Sequence, residues 1–473
     1  MFRKVTVLVI AFILCVVLFL LLSFNKKDGD TVDANSTASV DASENNAETS
    51  GTNILSGYDH GVLGKGRGVM PGRVVWAYNK ASVNWNGKGF WWNPKNFDLD
   101  VIKNMMTNAI KSLAGKETQA EAWDALFIYN NKERGRGEVG YQKGEKIAIK
   151  INMNGVTDSL GNSNVCYISP AGLNALLTEL VENAGAEPGD ITVFDASRVI
   201  PEHMIEYCSK GNLKEVNFRY IDDGGPNDCA ADKNVKIVWS ESFPGETCYL
   251  PKCVTEATYL INLASIKGHD LAGVTLCAKN NFGTIMTSSR LNPPQAAGIH
   301  GFVAAHDYNA GEGWAWPQRQ LNTYTALVDL MSNTYIADKT VLYMFDAFFS
   351  TQSQNAQMDL NSKWQAEPFN YDWPSSIFIS QDPVAIDSVG IDFLTNEPSV
   401  LSQDNVITPN TTLQNYIHEA ALADNPPSGT VYKNGAGKEA SSLGVHEHWN
   451  NSEDRLYSRN LGKDEGIELI QVE

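Results

Sequence analysis

Basic side chains are scarce in this chain of 473 residues. Lysine and arginine together number 37 against 55 aspartates and glutamates, which gives a formal net charge of −18. Proteins that bind nucleic acid through its phosphates present a basic surface, and no local basic stripe offsets the acidic balance here. The composition therefore argues against nucleic acid as a partner.

Several sequence motifs are also missing. The chain has no C-x-x-C run, so neither a zinc ribbon nor an iron–sulfur cluster is expected. It has no G-x-S-x-G, no P-loop, no G-x-G-x-x-G after a strand and no H-E-x-x-H. These absences argue against serine hydrolases, nucleotide-binding dehydrogenases and zincin proteases. Among the cysteines, Cys248 and Cys253 are the closest pair, and both a disulfide and separate thiols remain open.

One long apolar run stands at the N-terminus. Arg3 and Lys4 precede Val5–Phe24, and about twenty apolar residues suffice to span a bilayer as a helix. No small-residue cleavage pattern follows, which favours an uncleaved transmembrane signal anchor over residues 1–27. Residues 28–56 are polar and predict a disordered tether. We therefore expect a membrane-anchored, extracytoplasmic protein, periplasmic or at the cell surface, that contacts the membrane through this helix.

Segments typical of helices and strands alternate beyond the tether. Strands are predicted within Gly144–Gly155, at Ile191–Asp195 and from Tyr259 onward. The predicted helix starts are Asp98, Thr118, Ser169 with Pro170, and Asp382 with Pro383. This alternation predicts an α/β fold with parallel or mixed sheets, helices on both faces and Rossmann-like units, preceded by the N-terminal membrane segment.

The composition divides the body into three parts. Residues 57–143 form a Gly/Trp-rich extension that we expect to pack on the core, and Arg73–Tyr78 within it predicts a strand. Residues 144–398 form the α/β core, and residues 399–473 form a C-terminal extension that contains an HEHW motif. The length favours one large domain with additions, or two domains.

The stretch Tyr259–Gly283 concentrates polar chemistry. A short buried strand leads there into a loop that carries Lys267, His269 and Lys279. At the carboxyl end of a strand in an α/β sheet such side chains enter a crevice, and Lys150 joins them from a neighbouring strand. Histidine is a natural acid or base, and a desolvated lysine stabilises a developing oxyanion. We predict that these four residues are the catalytic groups.

The groups that hold the substrate follow from the same reasoning. We predict that they are Asn152, Asn280, Asp195 and Trp314. Lysines that converge in a crevice repel one another unless an anion compensates their charge. The expected partner is therefore a small-molecule or glycan-derived ligand with a carboxylate, phosphate, sulfate or uronate group.

A divalent metal site is a second interpretation of the histidines. His300 and His306, or His446 and His448, supply imidazoles that coordinate such ions together with carboxylates. The H-x-H spacing on a strand points both rings to one side. The sequence fixes no third ligand, so the identity of the metal, and of any other cofactor, is unknown.

Four segments, in order, resemble the domain-of-unknown-function 362 family in its exported bacterial form. They are GEKIAIKINMNG, TVFDAS, YLINLASIKGHDLAGVTLCAKNNFG and QDPVAIDSVGIDFL. The resemblance covers residues 144–398 and implies linked α/β units with a ligand-binding role, but it implies no particular reaction. Members of the family that hold iron–sulfur clusters carry cysteine runs, which this chain lacks.

A more remote resemblance links the same stretch to the nickel-pincer lactate racemase family. His269 and Lys279 keep that family's ten-residue spacing within HDLAGVTLCAK. The resemblance implies covalent attachment of a nickel cofactor to Lys279. Leu276 and Cys277 stand near the position where that family has a pair of glycines.

The expected function is that of an enzyme acting on an anionic or carbohydrate-derived small substrate. Its chemistry would be acid–base or metal-assisted, as in an isomerase, epimerase or hydrolase. One alternative is a non-catalytic surface protein that binds a glycan or solute in a groove lined by tryptophans, namely Trp85, Trp91, Trp92, Trp314 and Trp316. Another is a metal-dependent or nickel-pincer-type racemase or epimerase.

Overall fold

The computed structural model describes most of the chain beyond residue 60. The described residues are 61–156, 160–161, 163–242, 247–270, 272–287, 302–303, 319–401 and 411–473. The predicted anchor at 1–27 and the predicted tether at 28–56 lie outside them. Within the ranges given, no helix is long and apolar enough to cross a membrane.

Strands and helices alternate through the described part of the chain. The strands are β1 (Leu63–Gly64), β2 (Arg73–Tyr78), β3 (Ile147–Ile151), β4 (Ile191–Phe194), β5 (Asn217–Arg219), β6 (Ala231–Lys236), β7 (Cys248–Pro251), β8 (Tyr259–Ser265), β9 (Lys267–His269), β10 (Gly273–Thr275), β11 (Met286–Thr287), β12 (Thr340–Ala347), β13 (Ser376–Ser380), β14 (Val445–His446) and β15 (Glu468–Val472). The helices are α1 (Leu99–Ala114), α2 (Gln119–Glu133), α3 (Pro170–Glu182), α4 (Glu202–Cys208), α5 (Lys252–Thr255), α6 (Cys277–Asn280), α7 (Ala326–Ser332), α8 (Pro383–Thr395), α9 (Pro398–Leu401) and α10 (Thr411–Ala421).

Helix starts follow the side-chain capping that the sequence indicates. Asp98, Thr118, Ser169 and Asp382 each accept a hydrogen bond from a backbone N–H in the first turn of α1, α2, α3 and α8. These bonds satisfy donors that have no partner inside the helix. The four predicted helix starts are therefore confirmed.

Eight of the strands form one mixed sheet. Its order is β15-β2-β13-β12-β8-β3-β4-β5. The five strands from β12 to β5 are mutually parallel, whereas β13 runs antiparallel to both of its neighbours. Strand β15 runs parallel to β2. The predicted α/β class with a mixed sheet is confirmed.

The order in which the chain adds parallel strands to the sheet reverses at β3. From β3 the chain moves outward to β4 and then β5, and it returns to the other side of β3 with β8 and then β12. The boundary between β3 and β8 is therefore a topological switch point. In open α/β sheets, ligands bind in the crevice outside the carboxyl ends of the strands at such a point.

Alternate residues of the strands enter two separate cores. Along β2, Val75 and Ala77 pack in the core that contains α1, α2 and α3. Val74 and Trp76 point the other way, into the core that contains α7, α8 and α10. This period of two is the geometry of a strand with both faces covered.

The central sheet draws strands from both flanks of residues 144–398. Strand β2 lies before that region, β15 lies after it, and the two pair with each other. The guanidinium of Arg73 donates from Nε to Glu468 Oε2 at 2.7 Å. The carboxylate of Glu447, in the HEHW motif, accepts from the backbone N–H of Ser458 and of Ile467. These bonds hold β15 at the edge of the sheet.

Candidate functional site

An ion pair stands at the carboxyl ends of β3 and β4. Lys150 Nζ donates to Asp195 Oδ2 at 3.1 Å, to Asn280 Oδ1 at 3.0 Å and to the carbonyl of Ile151 at 2.6 Å. Burial lowers the pKa of Lys150, and the charge of Asp195 opposes that shift. Three acceptors match the three donors of an ammonium. The geometry is that of a charged, fully satisfied lysine.

The carboxylate of Asp195 accepts four hydrogen bonds. Its Oδ1 accepts from the backbone N–H of Ser197 at 2.8 Å and from the Ser197 hydroxyl at 2.7 Å. Its Oδ2 accepts from Lys150 and from the backbone N–H of Met153 at 3.2 Å. These four donors satisfy both oxygens of the buried carboxylate. Asp195 therefore acts as a fixed anchor for the turns after β3 and β4.

Asn280 joins α6 to the switch point. Its amide donates to Asn262 Oδ1 at 2.8 Å, to the carbonyl of Leu263 at 3.2 Å and to the carbonyl of Lys150 at 3.3 Å. Its carbonyl oxygen accepts from Lys150 Nζ. One side chain thereby connects α6 with β3 and β8. Lys279 directly precedes Asn280 in α6.

Lys279 brings a second ammonium to this place. It is 8% exposed, and its Nζ lies 4.2 Å from the ring centroid of Phe282. No described residue offers it a hydrogen-bond acceptor or an ion-pair partner. Burial, followed by the charges of Arg198 and Lys150, lowers the pKa of Lys279 to about 7. Near neutral pH this amine can receive an anion or carry a proton.

Arg198 is a third cationic group, and the sequence did not single it out. Its guanidinium donates to the carbonyl of Ser197 at 3.0 Å and to Asn154 Oδ1 at 3.1 Å. Burial lowers its pKa, and Asp195 opposes the shift. Among the described residues, no carboxylate lies within ion-pair distance of it. The signal that could have found it is its position three residues after Asp195, in the loop at the carboxyl end of β4.

His269 completes the group from the hairpin of β9 and β10. It is 1% exposed, and its Nδ1 accepts from the backbone N–H of Ala272 at 3.2 Å. In the neutral imidazole the proton therefore lies on Nε2, which makes His269 a hydrogen-bond donor at that atom. Residues 269 and 273 pair across the hairpin, which fixes the ring at the end of β9.

These side chains surround one cavity. Its volume is about 30 Å³. The residues that line it are Lys150, Asn152, Asn154, Asp195, Ser197, Arg198, His269, Thr275, Lys279, Asn280, Phe282 and Gly283. A volume of this size holds one or two water molecules. It therefore suits one small anionic group better than a whole sugar ring.

Lys267 does not line the cavity. It is 0% exposed, and its Nζ donates to the carbonyls of Cys166 and, at 3.3 Å, Asn154. Burial lowers the pKa of Lys267 to about 8. These contacts fix the backbone next to the cavity. A catalytic role for Lys267 stays a prediction from the sequence, and its position is behind the wall of the site.

The predicted metal ligands are not brought into this cavity by the described residues. His300 and His306, like the predicted substrate contact Trp314, lie outside those residues. His446 Nδ1 lies 2.8 Å from Ser388 Oγ, and His448 Nδ1 lies 2.6 Å from Asp392 Oδ1, so both imidazoles contact α8. In the part of the chain that the structure describes, no group of three or more His, Cys, Asp or Glu residues is arranged to hold a metal ion.

The fold and the site together define a class of protein. It is an α/β protein whose candidate site lies at the carboxyl ends of parallel strands, where the strand order reverses. The chain belongs to the family described as domain of unknown function (DUF362), which matches residues 147–392. The match runs from β3 into α8 and includes Lys150, Asp195, His269 and Lys279. No curated protein matches the chain.

The nickel-pincer resemblance is not shown by these comparisons. The cavity beside Lys279 measures about 30 Å³, whereas pockets for drug-sized ligands and cofactors measure about 300–1,000 Å³. Leu276 is buried and packs closely against Gly390 of α8. A Cβ built on Gly390 would stand only 2.8 Å from Cδ2 of Leu276. The described site therefore does not fit a nucleotide-sized cofactor.

Proposed function

We propose that this protein is an enzyme that binds the anionic group of a small substrate in the cavity at the carboxyl ends of β3 and β4. The observation that carries the proposal is the Lys279 ammonium, which faces the cavity beside Arg198 and has no acceptor among the described residues. A buried charge without a partner is unfavourable. An anion bound between Lys279 and Arg198 would remove that cost.

The surrounding groups suit acid–base chemistry. Arg198 presents a planar set of donors that matches a carboxylate. Lys279, with a pKa of about 7, can accept or return a proton near neutral pH. His269 presents the N–H of Nε2, which can donate a hydrogen bond to an oxygen of the substrate on which negative charge develops. The proposed reaction class is an isomerisation, epimerisation or hydrolysis next to the anionic group.

The location of the enzyme is part of the proposal. The apolar run Val5–Phe24, followed by the polar residues 28–56, supports a membrane-anchored body outside the cytoplasm. Export would bring the site into contact with anionic or carbohydrate-derived solutes. Fusion of residues 1–60 to a reporter that is active on one side of the membrane tests this location.

The glycan-binding alternative has less support. Trp85 and Trp91, two of the tryptophans that would line its groove, are 2% and 0% exposed. Their indole N–H groups donate to the carbonyls of Lys88 and Val165. A tryptophan buried in this way contributes to the core and offers no face for a sugar ring. Trp92 is only partly buried and stacks on His203 at 3.7 Å between ring centroids.

Substitution Lys279→Met tests the anion site. We expect the parent to bind lactate and sulfate, both ionised between pH 6 and 9, with an affinity that falls as the pH rises through about 7, because Lys279 then loses its proton. The variant should bind at least about tenfold more weakly and lose this pH dependence. Isothermal titration calorimetry at several pH values measures both effects.

Lys339→Met is the matched control. Burial also lowers the pKa of Lys339, to about 8, but its Nζ donates to the carbonyls of Val254 and Thr255 and does not line the cavity. This variant should bind like the parent. Parent-like binding by Lys279→Met would contradict the anion site. For any acid that the parent converts, His269→Ala should retain binding and lower turnover by about 100-fold, because it removes the Nε2–H donor; unchanged turnover would contradict this role of His269.

A further inference from the structure

Two cysteines from different segments lie next to each other outside the candidate site. Ala231 of β6 pairs with Pro251 of β7 in an antiparallel register. The two segments stay in contact one residue further on, because the backbone N–H of Lys252 donates to the carbonyl of Ala230 at 2.8 Å. Cys229 directly precedes Ala230, and Cys253 directly follows Lys252 at the start of α5. This bond therefore holds together the backbones that carry the two cysteines.

The side chains of this pair are in contact. The Cys229 thiol is hydrogen-bonded to Cys253, and this bond together with burial raises the pKa of Cys229. Both residues are thiols. Cys248 is the cysteine nearest to Cys253 in the sequence, but it is buried in the core with α7 and α8. The structure therefore selects a different partner for Cys253.

Reagents can reach this pair. Cys229 and Cys253 both line a cavity of about 320 Å³ near the start of α5. Among the described cysteines, Cys253 alone is partly exposed, whereas Cys166, Cys208, Cys248 and Cys277 are buried. A thiol reacts according to its access and its thiolate fraction. Cys253 is therefore the first residue that an incoming oxidant meets.

We propose that Cys229 and Cys253 form a site of reversible disulfide formation, driven by exchange with a low-molecular-weight disulfide. In the first step the Cys253 thiolate attacks one sulfur of the oxidant, whose S–S bond breaks and releases one thiolate. In the second step Cys229 gives up its proton to solvent and attacks the Cys253 sulfur, which releases the second thiolate. One S–S bond is broken and one is formed, and the two cysteine protons end on the two released thiols.

The pair adjoins the candidate functional site. Cys229 packs with Ala196 and Met286 in a small apolar cluster. Ala196 follows Asp195 directly, and its N–H donates to the carbonyl of Gly283 at 2.9 Å. Closing the disulfide would therefore fix a segment that contacts the wall of that site.

Oxidation of the native protein with oxidised glutathione, followed by alkylation and tryptic mass spectrometry, tests the proposal. Cleavage after Arg219, Lys236 and Lys252 puts Cys229, Cys248 and Cys253 on three separate peptides. We expect a cross-linked product of the Cys229 and Cys253 peptides, lower in mass than the two thiol peptides by two hydrogen atoms. Dithiothreitol should reverse it.

Two variants separate this pair from the alternatives. Cys253→Ser should abolish the cross-linked product, whereas Cys248→Ser should form it to the same extent as the parent. The proposal is overturned if Cys229 and Cys253 remain fully alkylated after oxidation. It is equally overturned if Cys253 links to Cys248, or if it stops as a mixed disulfide with glutathione. These measurements are made on the parent protein as well, so they do not rely on a variant that fails to fold.

Discussion

At the scale of single residues, the candidate site depends on a glycine, Gly283, which leaves room for the ion pair of Lys150 and Asp195. A Cβ built on Gly283 would stand 2.4 Å from Lys150 Nζ and 3.0 Å from Asp195 Oδ1. The backbone of Gly283 does not need a positive φ, so the requirement for glycine is one of space. The buried ion pair of β3 and β4 occupies the volume that any larger residue would fill.

Substitution Gly283→Ala should disrupt this ion pair. The added methyl group must displace the Lys150 ammonium from three acceptors, and overpacking of this kind costs about 1–3 kcal/mol of unfolding free energy. Binding of lactate should weaken as well. Urea unfolding and calorimetry measure the two effects.

Gly189→Ala is the matched control for this substitution. An added Cβ there would meet one atom, Glu215 Oε2, at 4.0 Å. Both the stability and the lactate affinity of this control should stay at the parent's values. If Gly283→Ala had the stability and lactate affinity of the control, the inference that Lys150 leaves no room for a side chain at position 283 would be wrong.

The convergence of the site residues was predictable, although their roles stay predictions. Lys150, Asp195 and His269 meet because the carboxyl ends of parallel strands lie at one edge of a sheet. Arg198 was missed because it lies in an irregular loop, where no periodicity shows the direction of a side chain. Lys267 was expected in the cavity, but the carbonyls of Asn154 and Cys166 that hold it come from a distant loop.

At the scale of elements, α6 is held in place by other helices. Its four residues, Cys277–Asn280, are too few to form a stable helix alone. The carboxylate of Asp387 in α8 accepts from the backbone N–H of Cys277 at 2.9 Å and of Ala278 at 3.0 Å. The hydroxyl of Tyr416 in α10 donates to the same carboxylate at 3.3 Å. The direction of Lys279 therefore depends on two later helices.

Substitution Asp387→Asn should weaken this attachment. The amide keeps one acceptor oxygen but turns an N–H₂ group toward a backbone N–H, which leaves a buried donor unsatisfied at a cost of about 1–3 kcal/mol. We expect lower unfolding free energy and weaker lactate binding in the same variant, measured at one pH.

The control for the capping change is Asp98→Asn. Asp98 accepts from the backbone N–H of Val101 at 3.1 Å at an exposed helix start, and asparagine caps helices as well as aspartate does. This variant should resemble the parent in both measurements. Equal effects of the two substitutions would show that Asp387 has no special role in fixing α6.

Local rules explain which elements could be predicted from the sequence. The starts of α1, α2, α3 and α8 depend on one side chain and the next three backbone N–H groups, so the sequence was sufficient. The hairpin of β9 and β10 was not predicted, because its strands have three residues each. Such short strands show no alternation, and only their surroundings make them pair.

At the scale of the whole molecule, the sheet is complete only with both flanking segments. Removal of residues 467–473 should expose the edge of β2 and delete Ile467, which is 0% exposed. Loss of a large buried aliphatic side chain alone costs about 2–5 kcal/mol, so the unfolding free energy should fall by more than this. Urea unfolding of the truncated protein measures the loss.

Glu468→Gln is the control that removes the ion pair with Arg73 and keeps strand β15. The side chains of Arg73 and Glu468 are 13% and 26% exposed, and such pairs contribute about 0–1 kcal/mol. This control should unfold almost like the parent. If the truncation had an equally small effect, the pairing of β15 with β2 would not contribute to stability.

The sequence did not indicate how the flanks join the sheet. Arg73–Tyr78 was predicted as a strand, with bounds that the structure confirms. Glu468–Val472 was not predicted, because its five residues are partly exposed and lack a strict alternation. Pairing between segments so far apart depends on the completed tertiary structure, which a local pattern does not contain.

The pairing of β2 with β15 also has a consequence during synthesis of the chain, because the two strands are made at very different times. Arg73 and Glu468 are separated by 395 residues. At translation rates of about 5–20 residues per second, that separation corresponds to roughly 20–80 s. During this interval β2 exists without its final neighbour, and an unpaired edge is prone to aggregation. The nascent chain therefore needs protection at β2 for longer than at the central parallel strands, whose partners emerge sooner.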